Sequence, residues 1–169
     1  VEKKRNIEGV PTWKSISIRP TLESSSVYEI MVNNPAKATE LIPSLKEFTG
    51  KIIINPAQSI DGTKVAFQIP GKGMWICNSD GSDVKFLGKG SNPQWLNDNE
   101  SLIYTVVTDD GSNFTSSDIY SINITTGKKY LLTGNTDIIP LTPSVSPNGE
   151  KVIFENAKDA SIYIINLKY

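Results

Sequence analysis

Ser146-Pro147-Asn148-Gly149-Glu150-Lys151-Val152-Ile153-Phe154 is a polar turn running straight into a short apolar strand that closes on an aromatic. Asn-Gly supplies residues that tolerate positive φ in a tight turn. Val-Ile-Phe then favours a packed strand. The same order stands in Ser59-Ile60-Asp61-Gly62-Thr63-Lys64-Val65-Ala66-Phe67 and in Leu96-Asn97-Asp98-Asn99-Glu100-Ser101-Leu102-Ile103-Tyr104. Three copies of one local solution point to a repeat, and repeats are sought before single elements.

A second pattern follows each copy: Met74-Trp75-Ile76-Cys77-Asn78, Ile119-Tyr120-Ser121-Ile122-Asn123 and Ile162-Tyr163-Ile164-Ile165-Asn166. Val27-Tyr28-Glu29-Ile30-Met31-Val32-Asn33 is an earlier relative. Each reads as a strand with an aromatic at its second position. The first two lead through Asp80-Gly81 and Thr126-Gly127 into a further strand, and the earlier relative continues through Pro35 to Ile42. The unit is therefore strand, turn, strand, loop, strand, turn, strand. Gly62 to Gly149 spans 87 residues and two units, about 43 to 44 residues each. Four-stranded propeller blades repeat at ~40–45 residues, and a sandwich would not require this phasing.

The expected fold is all-β: a single β-propeller domain over residues 1–169 with about four four-stranded blades. The units fall at about 9–43, 50–88, 91–133 and 139–169. The last unit stops before its outermost strand. Residues 1–8, with Lys3-Lys4-Arg5-Asn6-Ile7 in basic-then-apolar order, are the expected replacement, pairing with an otherwise bare sheet edge. Gly9-Val10-Pro11-Thr12-Trp13 then matches Asn92-Pro93-Gln94-Trp95. Leu45 to Gly50 is read as a short helical turn between blades. Closure as four blades, a ring shared in a homodimer, and membership of a larger propeller all fit this count.

The motif at 146–154 followed by the strand at 162–166 resembles the repeat of TolB-like propellers. Those bacterial proteins carry a Ser-Pro-Asp-Gly turn, an apolar strand ending in Phe, an Ile-Tyr strand, and an Asp-Gly turn before Leu-Thr. Asn78-Ser79-Asp80-Gly81-Ser82-Asp83 and Leu132-Thr133 match as well. The resemblance covers residues 50–169 and leaves out 1–49. It implies a periplasmic or cell-surface protein that binds other proteins. Related repeats also form the propellers of prolyl-oligopeptidase-type peptidases and of some secreted lyases.

Composition narrows the chemistry. The chain has no histidine and one cysteine, Cys77. That removes Ser-His-Asp and Cys-His catalysis and His-based zinc sites within these residues, as well as any internal disulfide. A formal net charge of −1 gives no pull toward nucleic acid. The apolar runs are far shorter than the ~20 residues of a membrane-spanning helix. Cys77 sits in an apolar run and is expected to be a buried, inert thiol. Asn78 to Asp83 has a partial likeness to a calcium loop but lacks the bidentate Glu. Its acids, like Asp98 and Glu100, read as solvated turn residues. No metal and no cofactor is expected.

What remains is binding. Thr108 to Ser117 is an insertion in its unit, and loops on a rigid scaffold often carry function. Phe114 at its tip, Asp109, Asp110 and the N-terminal Trp13 are the candidate partner-binding residues. Trp75 and Trp95 recur within the repeat and are assigned to packing. The leading expectation is a non-catalytic module for a protein or peptide partner at the cell envelope. The alternatives are the propeller part of a hydrolase or polysaccharide-active enzyme, and a carbohydrate-binding surface protein.

Overall fold

A computed structural model describes residues 14–20, 25–31, 34–40, 51–109, 114–134 and 136–168. These residues form antiparallel sheets in chain order. The first is β1 (Lys14–Pro20), β2 (Ser25–Met31) and β3 (Asn34–Glu40). The second is β4 (Ile54–Gln58), β5 (Lys64–Ile69), β6 (Gly73–Asn78) and β7 (Lys85–Gly88). The third is β8 (Ser91–Trp95), β9 (Ser101–Asp109), β10 (Phe114–Asn123) and β11 (Lys129–Leu131). The last is β12 (Pro140–Val145), β13 (Lys151–Asn156) and β14 (Ile162–Asn166).

The repeated turns explain the strand boundaries. In each copy the residue before the turn pairs backbone to backbone with the residue after it: Ser59 with Lys64, Leu96 with Ser101, Ser146 with Lys151. The fourth turn residue adopts positive φ: Gly62 at 73°, Asn99 at 55°, Gly149 at 74°. An Asp or Asn side chain closes the loop. Asp61 accepts from Ser59 Oγ and from the Thr63 amide, and Asp98 from the Glu100 and Ser101 amides. Hence Asp-Gly, Asp-Asn and Asn-Gly mark the join from first to second strand in the second, third and last sheets.

The sheets stack through their leading strands, β4 against β8 and β8 against β12, with β1 against β4. Strand faces between successive sheets then have fixed neighbours. Val65, Phe67 and Cys77 belong to a core on the near side of the second sheet. Ala66, Met74 and Ile76 on its far side pack with Leu102, Tyr104 and Trp95 of the third sheet. Ile103 and Ile119 on the far side of the third sheet pack with Val152 and Phe154 of the last. Burying these faces between sheets is the main stabilising term, at roughly 25 cal/mol per Å² of apolar surface. Trp95 is buried with its indole N–H donating to Ala57 O at 2.8 Å. Trp75 is half-buried with its ring 5.0 Å from that of Phe86. Both tryptophans are packing residues, as expected.

Pro56, Pro93 and Pro143 occupy the leading strands β4, β8 and β12. A leading strand pairs on one side only, so a missing N–H can face away from the ladder. The residue before each of these prolines has positive φ (Asn55 50°, Asn92 53°, Thr142 44°), and the strand register shifts there. Asn tolerates this conformation; β-branched Thr142 is strained by it.

The 34–42 stretch contains an edge strand, with Pro35 near its start. The last sheet shows three strands among the described residues. The proposed N-terminal strand at 1–8 and the helical turn at 45–50 lie outside the described residues.

Candidate functional site

Strand order places the repeated Asp-Gly-type turns at one end of the sheets. The opposite end carries the β5–β6, β9–β10 and β13–β14 connections and the links into the next leading strand. At this second end an open cleft of about 850 Å³ lies between the second and third sheets. One wall is Gln68, Lys72 and Phe86; the other is Ser91 with Val106 to Thr108; Lys89 stands on the link between them.

Glycines make this geometry attainable. A Cβ on Gly73 would lie 2.4 Å from Gly88 O, across the open end of the β6–β7 hairpin. A Cβ on Gly90 would lie 2.6 Å from the Tyr104 ring and 2.9 Å from Met74 Cε. Both residues have positive φ, 88° and 152°. Glycine is the residue that meets both demands.

Two of the lining residues, Gln68 and Ser91, are tied by hydrogen bonds to neighbours outside the lining. Asn55 Nδ2 donates to Asn92 Oδ1 at 2.7 Å and to Gln68 Oε1 at 3.0 Å, tying the two leading strands together. Ser91 Oγ and Thr105 Oγ1 share a hydrogen bond of 2.9 Å. The rest of the lining has another character. Phe86 is exposed, Lys72 and Lys89 reach solvent, and Lys129 of β11 donates to Leu87 O at the rim. Among the described lining residues there is no carboxylate. The cleft therefore offers the Gln68 amide and the Ser91 hydroxyl, together with the Lys72 and Lys89 cations and the Phe86 ring.

The acids of the opposite end are engaged within their own turns. Asp61 is held below the usual carboxylate range by the Ser59 hydroxyl and the Thr63 amide. Asp80 is lowered by the Ser82 hydroxyl and amide. Partial burial works against ionisation of Asp98, but donors from Ser101 and Glu100 outweigh it and the carboxyl is again lowered. No group of three metal-ligating acids or cysteines occurs among the described residues.

Cys77 is buried, its Sγ 3.9 Å from Val65 O. Burial, with the negative charge of Asp80 nearby, pushes the thiol from 9.0 up to about 12. The thiolate is the nucleophile, so this cysteine is chemically silent at neutral pH. Iodoacetamide at pH 8 should leave the native chain unmodified and label it fully in urea; native labelling at the free-thiol rate would contradict this. The unfolded thiol ionises first, so this group's contribution to stability falls as pH rises from about 9 toward 12.

Of the residues picked out from sequence, Asp109 closes β9 and Phe114 opens β10, paired across the hairpin. The hairpin continues directly from the Val106–Thr108 wall of the cleft. Asp110 and Trp13 lie outside the described residues. Sequence reasoning missed Asn55, Gln68, Lys72, Phe86, Lys89 and Asn92. One signal was available: Asn55-Pro56, Asn92-Pro93 and Thr142-Pro143 each stand at the same distance before a repeated turn.

No protein-family model and no curated protein sequence matches the chain. Solved structures do. TolB from Acinetobacter baumannii aligns with a TM-score of 0.62 at 17% identity, over 85% of this chain and 35% of that one. An oligogalacturonate lyase in complex with manganese aligns at 0.62 and 18% identity, over 84% and 39%. A chain of a nidogen/laminin complex aligns at 0.63 and 11% identity, over 84% and 52%. This chain thus spans between about a third and about half of each. The shared feature is the fold, and proteins of this shape include an enzyme as well as a member of a protein complex.

Proposed function

Starting from a TolB-like β-propeller fold, we propose that the chain is a non-catalytic binding module that takes a protein or peptide segment in the cleft between its second and third sheets. The observation that carries this reading is the cleft itself. Its wall runs into the β9–β10 hairpin, and its lining presents the Gln68 amide, the Ser91 hydroxyl, Lys72, Lys89 and Phe86. Amides and backbone groups suit an extended main chain, and the lysines suit carboxylates. Phe86 and Phe114 suit an apolar or aromatic side chain. A location at the cell envelope fits this reading and rests on the likeness to TolB.

Fluorescence polarisation with labelled peptides tests it, using acidic and basic nonapeptides that each contain one aromatic. The acidic peptide should bind and the basic one should not. A Lys72→Ala/Lys89→Ala double variant should weaken binding at least about tenfold, a loss of about 1.4 kcal/mol. Phe114→Ala should weaken it in the same direction. Equal binding of both peptides, or indifference to the lysines, counts against the cleft. Displacement of the peptide by an acidic oligosaccharide would shift the assignment to carbohydrate, for which the same amides and aromatic ring are suited.

A further inference from the structure

Asn148-Gly149 is the one Asn-Gly step in the chain. The pair carries latent chemistry. A backbone nitrogen that follows Asn can attack the Asn side-chain carbonyl carbon, and Gly, with no Cβ, leaves that nitrogen least hindered. The folded turn holds both reactants out of position. Gly149 is buried, and its N–H donates to Ser146 O at 2.8 Å. Asn148 Oδ1 accepts from Ser146 Oγ at 2.7 Å and from the Glu150 amide at 3.2 Å, while Nδ2 donates to Glu150 Oε2 at 2.6 Å. For the attack, Cγ must swing onto the Gly149 nitrogen, so these hydrogen bonds must break first.

Glu150 sets what the product would do. In two turns built on an acid, a hydroxyl two residues on donates to it: Thr63 Oγ1 to Asp61 at 2.9 Å and Ser82 Oγ to Asp80 at 2.6 Å. Glu100 follows Asp98 by the same step, but its carboxylate accepts from Asn123 Nδ2 at 3.3 Å. In the last sheet the residue two on is an acceptor, and the Asn148 amide is the donor it meets. An ionised carboxylate in place of that amide has no proton to donate, so two acceptors would face each other. The same turn fastens the last sheet to the third. Asn97 Nδ2 donates to Pro147 O at 2.9 Å, and a Cβ on Gly149 would lie 3.0 Å from Asn97 Cγ.

We propose that Asn148 is a self-modification site, gated by opening of the β12–β13 turn. On opening, the Gly149 nitrogen bonds to Asn148 Cγ, the Cγ–Nδ2 bond breaks, and the side-chain nitrogen leaves as ammonia with the proton of the Gly149 amide. Water then opens the succinimide ring at one carbonyl or the other, giving aspartate or isoaspartate at position 148. Isoaspartate adds one atom to the backbone of the turn, and aspartate opposes Glu150, so neither product restores the closed turn. The change is one-way: a chain that has opened here keeps a last sheet loosened from the third. The site is independent of the cleft, which lies at the opposite end of the sheets.

Mass spectrometry of the tryptic peptide 130–151 tests it, after timed incubation of the 169-residue chain in mildly alkaline buffer with and without urea. Fragmentation assigns the exchange of nitrogen for oxygen to position 148, and elution against synthetic standards separates aspartate from isoaspartate. Position 148 should convert at least about tenfold more slowly in the native chain than in urea, since conversion tracks the population that has opened. Equal rates in the two conditions, or no conversion in urea, overturn the proposal. Urea midpoints measure the consequence. Asn148→Asp should lower the midpoint, and the loss should shrink by at least about half in the Glu150→Thr background, read as a double-mutant cycle. An Asn148→Asp variant with an unchanged midpoint, or a loss indifferent to Glu150→Thr, overturns the role given to Glu150.

Discussion

Gly73→Ala is expected to lower stability by about 3 kcal/mol or more, while Gly71→Ala, two residues earlier in the same connection, lowers it by about 1 to 2 kcal/mol. Both glycines have positive φ, 88° and 72°, so both substitutions carry the same conformational strain. They differ in what a Cβ would meet. At Gly71 nothing lies within 4 Å; at Gly73 the Gly88 carbonyl oxygen lies at 2.4 Å and its carbon at 3.1 Å. That obstacle is backbone, paired into β6–β7, and it cannot rotate away as a side chain would. Relief requires β7 to shift, which disturbs the Trp75–Phe86 contact and the wall of the cleft. For a domain of this size 1 kcal/mol moves Tm by roughly 2–4 °C. The two variants should therefore separate clearly in thermal melts followed by near-ultraviolet circular dichroism. Equal shifts would mean that β7 yields freely, and that the cleft wall is softer than its packing suggests.

The parts of the fold visible in sequence are those set by local rules. Ser146 to Phe154 can be read because positive φ selects Gly or Asn, and because an apolar run closing on an aromatic favours a packed strand. The β10 and β14 strands can be read because Ile-Tyr recurs at the repeat spacing. The cleft could not be read this way. Lys72 and Lys89 sit on separate connections, and nothing local marks them as neighbours. Asn55 and Asn92 meet only because successive leading strands stack around one axis, a tertiary fact that gives two ordinary Asn-Pro steps a joint role. Phe114 and Asp109 were singled out by loop length, which points to a place on the scaffold but says nothing of the wall below it. The turn acids illustrate the converse. Asp61, Asp80 and Asp98 look like ligands in a list of carboxylates, and their hydrogen bonds show them closing turns.

Ile119→Ala and Ile162→Ala make the sharpest test of the stacking order, because the two residues hold the same repeat position. Ile119 is fully buried in the core between the third and last sheets, with Leu96, Ile103, Val152 and Phe154. Removing its side chain leaves a cavity between two sheets, and neither can close in without breaking strand register. A loss of about 2–5 kcal/mol is expected. Ile162 is 62% exposed on the far face of β14, where truncation removes few contacts and water fills the space. Its loss should stay within about 0.5 kcal/mol. Urea midpoints of the two variants measure the difference. A large effect at Ile119 with a small one at Ile162 follows only if the third sheet is covered by the last and Ile162 stands exposed. If both cost several kcal/mol, Ile162 is covered as Ile119 is, and the stacking order is wrong.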